Sequence, residues 1–137
     1  MKIEPVKKIA TYDKTTGEQN GELIILFEDG RKTLSYLNII YPGAFKGYHI
    51  HTERTNRIFC LEGEVIIYTK VDEGIIATPL NATSMDKIII PPDIPTAIEN
   101  IGLYKAMLLF QPDPPFDPAN KGEQLTVARE EIERLGR

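Results

Sequence analysis

The 137-residue chain is predicted to form a single all-β barrel with a short C-terminal helix. Between residues 21 and 110 the sequence consists of short runs rich in branched and aromatic residues, and such runs favour strands. Glycine, proline and aspartate punctuate them with turn signals, as in a sandwich or barrel. The candidate strands are residues 21–27, 33–40, 47–51, 57–61, 64–69, 87–90, 97–100 and 105–110.

The C-terminal part reads differently from the barrel core, which is expected over residues 21–111. Four of the ten prolines lie in residues 111–121, so this segment is predicted to be an extended exit rather than a helix or an interior strand. Over residues 126–135, apolar side chains recur at the i, i+4 and i+7 spacing of a helix, with Thr126 as its N-cap. This helix is expected to dock on the barrel, and residues 1–137 are treated as one domain.

Composition excludes several function classes. Sixteen basic and twenty acidic residues give a formal charge of −4. Proteins that bind nucleic acid typically carry a basic surface, so this charge favours a small-molecule partner instead. The longest apolar runs, 23–27 and 88–92, are far shorter than the roughly 20 residues of a membrane helix. The N-terminal stretch is charged and lacks the apolar block of a secretory signal. With Cys60 as the lone cysteine, these features predict no membrane partner, no disulfide framework and a cytoplasmic location.

Self-association is expected from one candidate strand. Residues 21–27 contain a run of leucine and isoleucine, and an open sheet edge of that composition pairs readily with another chain. We therefore expect a second copy to cover this edge in a homodimer.

The only two histidines, His49 and His51, are two residues apart on a predicted strand. Both imidazoles therefore face the same side of it. If that side is the barrel lumen, the pair can bind a metal, exchange protons or hold a polar ligand. If it is the outer surface, the two rings are simply solvated side chains.

The spacing around this pair resembles the first motif of the cupin superfamily, G-x5-H-x-H-x4-E-x6-G. Gly43, His49, His51 and Gly63 match it, and Asn56 stands in place of the glutamate. The resemblance implies a double-stranded β-helix, the jelly-roll barrel of that superfamily.

A second cupin motif, P-x-G-x2-H-x3-N, is partly present. Pro91 and Asn100 match, whereas Asp93 replaces the glycine and Thr96 the histidine. Together the two motifs and their strands cover residues 33–110.

The resemblance also implies where a metal would bind. Cupins with one metal ion typically use three histidines and one glutamate, and the corresponding residues here are His49, His51, Asn56 and Thr96. Amide and hydroxyl oxygens are weak ligands for the divalent transition metals that imidazole favours. A metal-independent protein is therefore predicted, with a divalent transition metal on His49 and His51 as the alternative.

A finer resemblance concerns the nucleotide-sugar branch of the cupins. Residues 46–49, 57–59, 62–65 and 90–92 are similar to segments of the dTDP-4-dehydrorhamnose 3,5-epimerases and the dTDP-4-keto-6-deoxyhexose 3,4-ketoisomerases, which act without a metal. The His-x-His order is closer to the ketoisomerases.

This resemblance implies roles for the site residues. His49 is the expected general base, which removes the proton beside the sugar ketone, and His51 is its partner or a substrate contact. Lys46 and Arg57 are expected to bind the diphosphate, unless they are merely solvated charges, and Asn56 and Thr96 are assigned to the same ligand site.

The predicted function is therefore a metal-independent isomerase or epimerase acting on a keto-sugar nucleotide. The ligand is expected to be an anionic sugar or nucleotide-sugar. Two alternatives remain open: a metal-dependent cupin enzyme that uses His49 and His51, and a non-catalytic barrel that binds a small ligand.

Overall fold

The computed structural model describes residues 1–29, 33–84, 86–115, 119 and 122–135. The described chain is built of antiparallel strands and ends in one short helix, which confirms the predicted all-β class. The elements are β1 (Lys7–Tyr12), β2 (Gln19–Asp29), β3 (Thr33–Ile40), β4 (Phe45–His51), β5 (Thr55–Glu62), β6 (Glu64–Val71), β7 (Gly74–Asn81), β8 (Lys87–Ile90), β9 (Thr96–Asn100), β10 (Ala106–Asp113), β11 (Gln124–Thr126) and α1 (Arg129–Leu135).

Two sheets face each other around the core. The six-stranded sheet has the order β1-β2-β3-β10-β5-β8, and the five-stranded sheet has the order β11-β4-β9-β6-β7. Inward side chains of both sheets interdigitate, as expected of a jelly roll. The buried core includes Ile40, Ile58, Cys60, Val65, Ile67, Leu80, Ile90, Ile98, Ala106, Leu108 and Phe110.

Three strands were not predicted from the sequence. β1 carries exposed, charged residues at its start, and β11 is only three residues long. β7 contains Pro79, which is unusual inside a sheet but is tolerated here because β7 is the outer strand of the five-stranded sheet.

The proline-rich exit begins later than predicted. β10 continues through Pro112 to Asp113. Beyond Phe110 it pairs only with β5, so one side of the strand is an edge there, and a proline is tolerated at such a position. Residues 116–118, 120 and 121 of the predicted exit lie outside the described residues.

The C-terminal helix is shorter than predicted. It begins at Arg129, and Thr126 is not its N-cap but the last residue of β11, where it pairs with His49 of β4. The predicted docking is confirmed, because Ile132 is buried against Tyr48 and Ala97 on the outer face of the five-stranded sheet.

The argument for an open edge at residues 21–27 was wrong. β2 lies inside the six-stranded sheet, paired with β1 on one side and β3 on the other. The chain's own N-terminal strand thus covers the edge that a second copy was expected to cover. The homodimer stays a prediction without this support.

Two residues of the second motif have structural roles. Asp93 adopts a left-handed backbone with φ of 68°, a conformation that aspartate tolerates and glycine adopts freely. Asn100 is fully buried, and its side-chain amide donates to the carbonyls of Ile40 and Tyr104 at 2.9 and 2.8 Å. Its oxygen accepts the backbone N–H of Gly102, so all of these buried polar atoms are paired.

None of the helices in the described part of the chain has the length and apolar character needed to cross a lipid bilayer.

Candidate functional site

A cavity of about 800 Å³ opens between the two sheets. His49 and His51 both line it, while Tyr48, just before His49, packs on the opposite face of β4 beneath the helix. The two imidazoles therefore share one side, as the strand alternation predicts, and that side is the lumen. Ile58, Ile98 and Phe110 supply apolar wall, so polar groups here are partly shielded from water.

His51 is held by a carboxylate that the sequence analysis did not identify. Its Nδ1 lies 2.9 Å from Oε1 of Glu123, and both side chains are largely buried, at 13% and 10% exposed. The second oxygen of Glu123 accepts the backbone N–H groups of Glu53 and Arg54 at 3.3 and 3.2 Å. An ionised carboxylate only accepts hydrogen bonds, so Nδ1 of His51 carries the proton and Nε2 is unprotonated.

The ionisation of Glu123 is fixed by the same contacts. Burial alone would raise the pKa of this carboxyl group, but the hydrogen bonds from His51 and from the N–H of Glu53, with the charge of Arg54, outweigh it and lower the pKa. Glu123 is therefore a carboxylate at neutral pH, as its role of acceptor requires.

His49 has the opposite hydrogen-bond arrangement. Its Nδ1 lies 3.3 Å from the side-chain nitrogen of Gln124 and 3.3 Å from the hydroxyl of Thr126. An amide nitrogen only donates, so Nδ1 accepts and the proton of the neutral ring is on Nε2. The two imidazoles thus offer the cavity different groups, an N–H from His49 and a free nitrogen lone pair from His51.

Both rings are neutral at pH 7. Burial lowers the pKa of His49 to about 4, with further lowering by His51, Lys14 and Lys46. Burial also lowers the pKa of His51, and its hydrogen bond to Glu123 opposes that shift only in part.

The pKa of His49 predicts a loss of stability in mild acid. The pKa of His49 is lower in the folded protein than in the unfolded chain. The free energy of unfolding therefore keeps its full value above about pH 6.5 and decreases as the pH falls toward 4. We expect His49→Gln to reduce the fall in the free energy of unfolding between pH 7 and 5 by about 2 kcal/mol. Urea unfolding at the two pH values measures this, and an equal fall in variant and wild type would contradict it.

Lys46 is the most unusual cation of the cavity. It is 8% exposed, and its Nζ donates a hydrogen bond of 2.6 Å to Oδ1 of Asn38. It forms no ion pair with a carboxylate of the described residues. Gly21 leaves room for it, since a Cβ there would stand 2.9 Å from Nζ. Burial lowers the pKa of Lys46 to about 7, and the nearby charge of Glu22 offsets only part of that effect.

A second cation, Arg54, was also missed from the sequence. It is 5% exposed and lines the cavity, with Nε 3.5 Å from Oε1 of Glu123. This Nε and Oδ1 of the neighbouring Asn56 are both buried without a hydrogen-bond partner among the described residues. Unpaired polar atoms of this kind are costly unless a ligand or water completes them.

Arg57 does not line this cavity. It is exposed on the outer face of β5, where it contacts the carbonyl of Gln111 and lies 3.9 Å from the carboxylate of Asp113. Asn56 does face the cavity, and consecutive residues of a strand point to opposite sides, so the two could not both bind one ligand in the lumen. The arginines that line the cavity are Arg54 and Arg129.

The remaining predicted residue, Thr96, lines the cavity opposite His49, its strand partner. Its hydroxyl donates to the carbonyl of Ile94 at 3.0 Å. A further hydroxyl comes from Tyr36 of β3, which lines the cavity and stacks on Phe110 with ring centroids 5.1 Å apart. Burial raises the pKa of Tyr36 to about 12, so it is a neutral phenol at pH 7.

Comparisons with solved structures identify the fold that carries this site. No protein-family model matches the sequence, and no curated protein matches it either. Among solved structures, the capsular polysaccharide assembling protein CapF from Staphylococcus aureus aligns over 91% of this chain with a TM-score of 0.75 and 20% identity. A double-stranded β-helix protein from Klebsiella pneumoniae aligns over 75% of both chains, with a TM-score of 0.61 and 16% identity. The chain has the cupin fold.

Other proteins with this barrel carry small molecules in their structures. The oxalate decarboxylase of Lactobacillus farciminis, solved as a formate complex, aligns with a TM-score of 0.65 and 17% identity over 79% of this chain. CapF has been solved with the inhibitor 3-isopropenyl-tropolone. This cupin barrel spans about a third of the CapF and oxalate decarboxylase chains, at 32% and 31% of their lengths.

The residues of this cupin barrel do not fit the metal site that the fold commonly holds. No group of three histidine, cysteine, aspartate or glutamate side chains is placed to bind an ion, among the residues that the structure describes. Asn56 and Thr96 offer an amide and a hydroxyl where stronger ligands would be needed, and the carboxylate of Glu123 is hydrogen-bonded to His51. The arrangement suits proton transfer better than metal binding.

Proposed function

We propose that this cupin barrel is an isomerase of keto-sugar nucleotides in which His51 is the general base. The observation that carries the proposal is the 2.9 Å hydrogen bond from Nδ1 of His51 to the buried carboxylate of Glu123. A carboxylate in this position fixes the tautomer and stabilises the imidazolium that forms when Nε2 takes a proton.

The proposed step moves one proton. The Nε2 lone pair of His51 takes the proton from the carbon beside the ketone, and the C–H electron pair forms the C=C bond of an enolate. The carbonyl π electrons move to oxygen, and the Nε2–H of His49 donates a hydrogen bond to that oxygen. Return of the proton to the opposite face of the same carbon gives an epimer. If the proton of the adjacent hydroxyl first moves to the enolate oxygen, return of the carbon-bound proton to the former carbonyl carbon moves the ketone by one position. In both cases His51 is again neutral.

This assignment exchanges the roles expected from the sequence, which made His49 the base. The hydrogen bonds support the exchange, because His49 presents a donor to the cavity and His51 presents an acceptor. The lowered pKa of His49, to about 4, also makes it a poor proton acceptor near neutral pH.

An anionic ligand is supported by the charges of the cavity. Arg54 brings a buried guanidinium, whose Nε lies 3.5 Å from the carboxylate of Glu123 without a hydrogen-bond partner among the described residues, and Lys46 brings a second basic group. An arginine fork binds phosphate oxygens well, and a water-poor cavity strengthens that attraction. The likeness to a capsular polysaccharide assembling protein agrees with a carbohydrate ligand.

Turnover of a dTDP-4-keto-6-deoxyhexose tests the proposal. The wild type is expected to isomerise this substrate in D2O and to place deuterium beside the ketone, as followed by NMR. His51→Gln should reduce both rates at least about 10³-fold, because the acceptor of the proton is gone.

Arg57→Gln is the matched control, since this side chain lies on the outer face of β5, and it should retain wild-type rates. A wild type that neither isomerises nor exchanges the substrate, or a His51→Gln variant as fast as the wild type, would contradict the proposal.

A further inference from the structure

Lys46 has surroundings that a purely structural or anion-binding lysine does not need. The residue lines the cavity and is 8% exposed, and its amine has an uncharged amide oxygen of Asn38 as its hydrogen-bond acceptor. A buried ammonium without a carboxylate partner is unfavourable, and such a group tends to lose its proton instead.

The ionisable groups that act on this amine lie on β2 of the facing sheet and on its own strand, β4. Glu22 of β2 raises the pKa of Lys46, but burial dominates and brings it to about 7. His49 of β4 interacts with Lys46 and is itself neutral at pH 7. About half of the amine is therefore unprotonated at pH 7, compared with less than about 0.1% for a lysine of ordinary pKa.

A neutral amine in a shielded cavity is a nucleophile for carbonyl carbon. Lysines used for this chemistry are activated by desolvation or by a nearby cation. Lys14 offers an internal contrast, since it also lines the cavity but its Nζ is exposed, at 3.3 Å from the hydroxyl of Thr126.

We propose that Lys46 binds the ketone of its ligand covalently, as an imine. This proposal rests on the proposed function, since it concerns the same ketone in the same cavity. The Nζ lone pair attacks the carbonyl carbon, and the carbonyl oxygen takes a proton to give a carbinolamine. Loss of that oxygen as water, with one further proton, leaves a C=N double bond and a protonated imine nitrogen.

The imine has a consequence for the proton transfer at His51. Its positive nitrogen attracts electrons from the adjacent carbon more strongly than a carbonyl oxygen does. The C–H electron pair then passes into an enamine when His51 takes the proton. Return of the proton to the opposite face of the same carbon re-forms the imine, and hydrolysis by water releases the epimerised ketone and the free amine of Lys46. Arg54 remains available for the anionic part of the ligand.

Reductive trapping tests this proposal on the intact protein. The chain is incubated at pH 7 with sodium cyanoborohydride and a dTDP-4-keto-6-deoxyhexose, or with dihydroxyacetone phosphate as a smaller anionic ketone, and the adduct is located by peptide mass spectrometry. We expect the reduced adduct on Lys46 at a level at least about 10-fold above that on Lys14. Adducts spread over exposed lysines, with Lys46 unmodified, would overturn the proposal.

Two variants extend the test. Lys46→Met should abolish the adduct at this site, whereas Lys14→Met should leave it unchanged. If a variant folds poorly, the positions of the adducts on the wild-type protein still decide between the two results.

The outcomes separate this proposal from the proposed function. Deuterium exchange that needs His51, without any adduct on Lys46, would overturn the imine and leave the base assignment standing. An adduct on Lys46 without deuterium exchange would support the imine and overturn the isomerase.

Discussion

Glu123→Gln is expected to lower the turnover of a keto-sugar nucleotide by about 10³-fold without unfolding the protein. In the wild type, one carboxylate oxygen accepts the backbone N–H groups of Glu53 and Arg54 and the other accepts Nδ1–H of His51. A glutamine keeps its oxygen on the two backbone donors and turns its NH2 toward His51. That NH2 requires an acceptor, so the ring takes the other tautomer and Nε2 carries the proton.

The measurement is kcat under saturating substrate, with circular dichroism to confirm the fold. Glu133→Gln is the matched control, because it makes the same chemical change on α1, where Glu133 pairs with Arg129 and does not line the cavity. A Glu123→Gln variant with wild-type kcat would mean that the carboxylate does not support a base at His51.

Lys46→Met is expected to stabilise the fold by about 3 kcal/mol at pH 7, because an amine whose pKa falls from its ordinary value to about 7 opposes folding. The full shift corresponds to between about 4 and 5 kcal/mol, and loss of the hydrogen bond to Asn38 removes about 1 kcal/mol of it. A methionine of similar length fills the same space without a charge.

The size of this effect depends on pH. The folded pKa of Lys46 is below its unfolded value, so folding is penalised at neutral pH and below, and the penalty disappears near pH 10.5. Urea unfolding should therefore show a gain at pH 7 that shrinks as the pH rises. Lys14→Met, at an exposed lysine, should change stability by less than about 0.5 kcal/mol. A Lys46→Met variant less stable than the wild type at pH 7 would contradict the claim that this buried amine, which has no carboxylate partner among the described residues, opposes folding.

The barrel was predictable because the sequence patterns that indicate its strands and turns are short and local. Strand runs, turn residues and the spacing of His49 and His51 all lie within short windows of sequence, and alternation along β4 correctly placed both rings on one side. The same rule also places Asn56 and Arg57 on opposite sides of β5, so the sequence could already have shown that the two do not share one cavity.

The missed residues depend on contacts that no local pattern encodes. Glu123 is 72 positions from His51 and reaches it because the short β11 pairs with β4. Arg54 faces inward from the turn between β4 and β5, where strand alternation gives no direction. β7 was missed because the cost of Pro79 depends on whether a strand lies at an edge, which is a property of the whole sheet.

The most direct test of the central claim is the protonation of His51, measured by ¹⁵N NMR of labelled protein at pH 7. We predict a neutral ring with the proton on Nδ1 and a free Nε2, together with a neutral His49 protonated on Nε2. A His51 ring protonated on Nε2, or on both nitrogens, would contradict its assignment as the base.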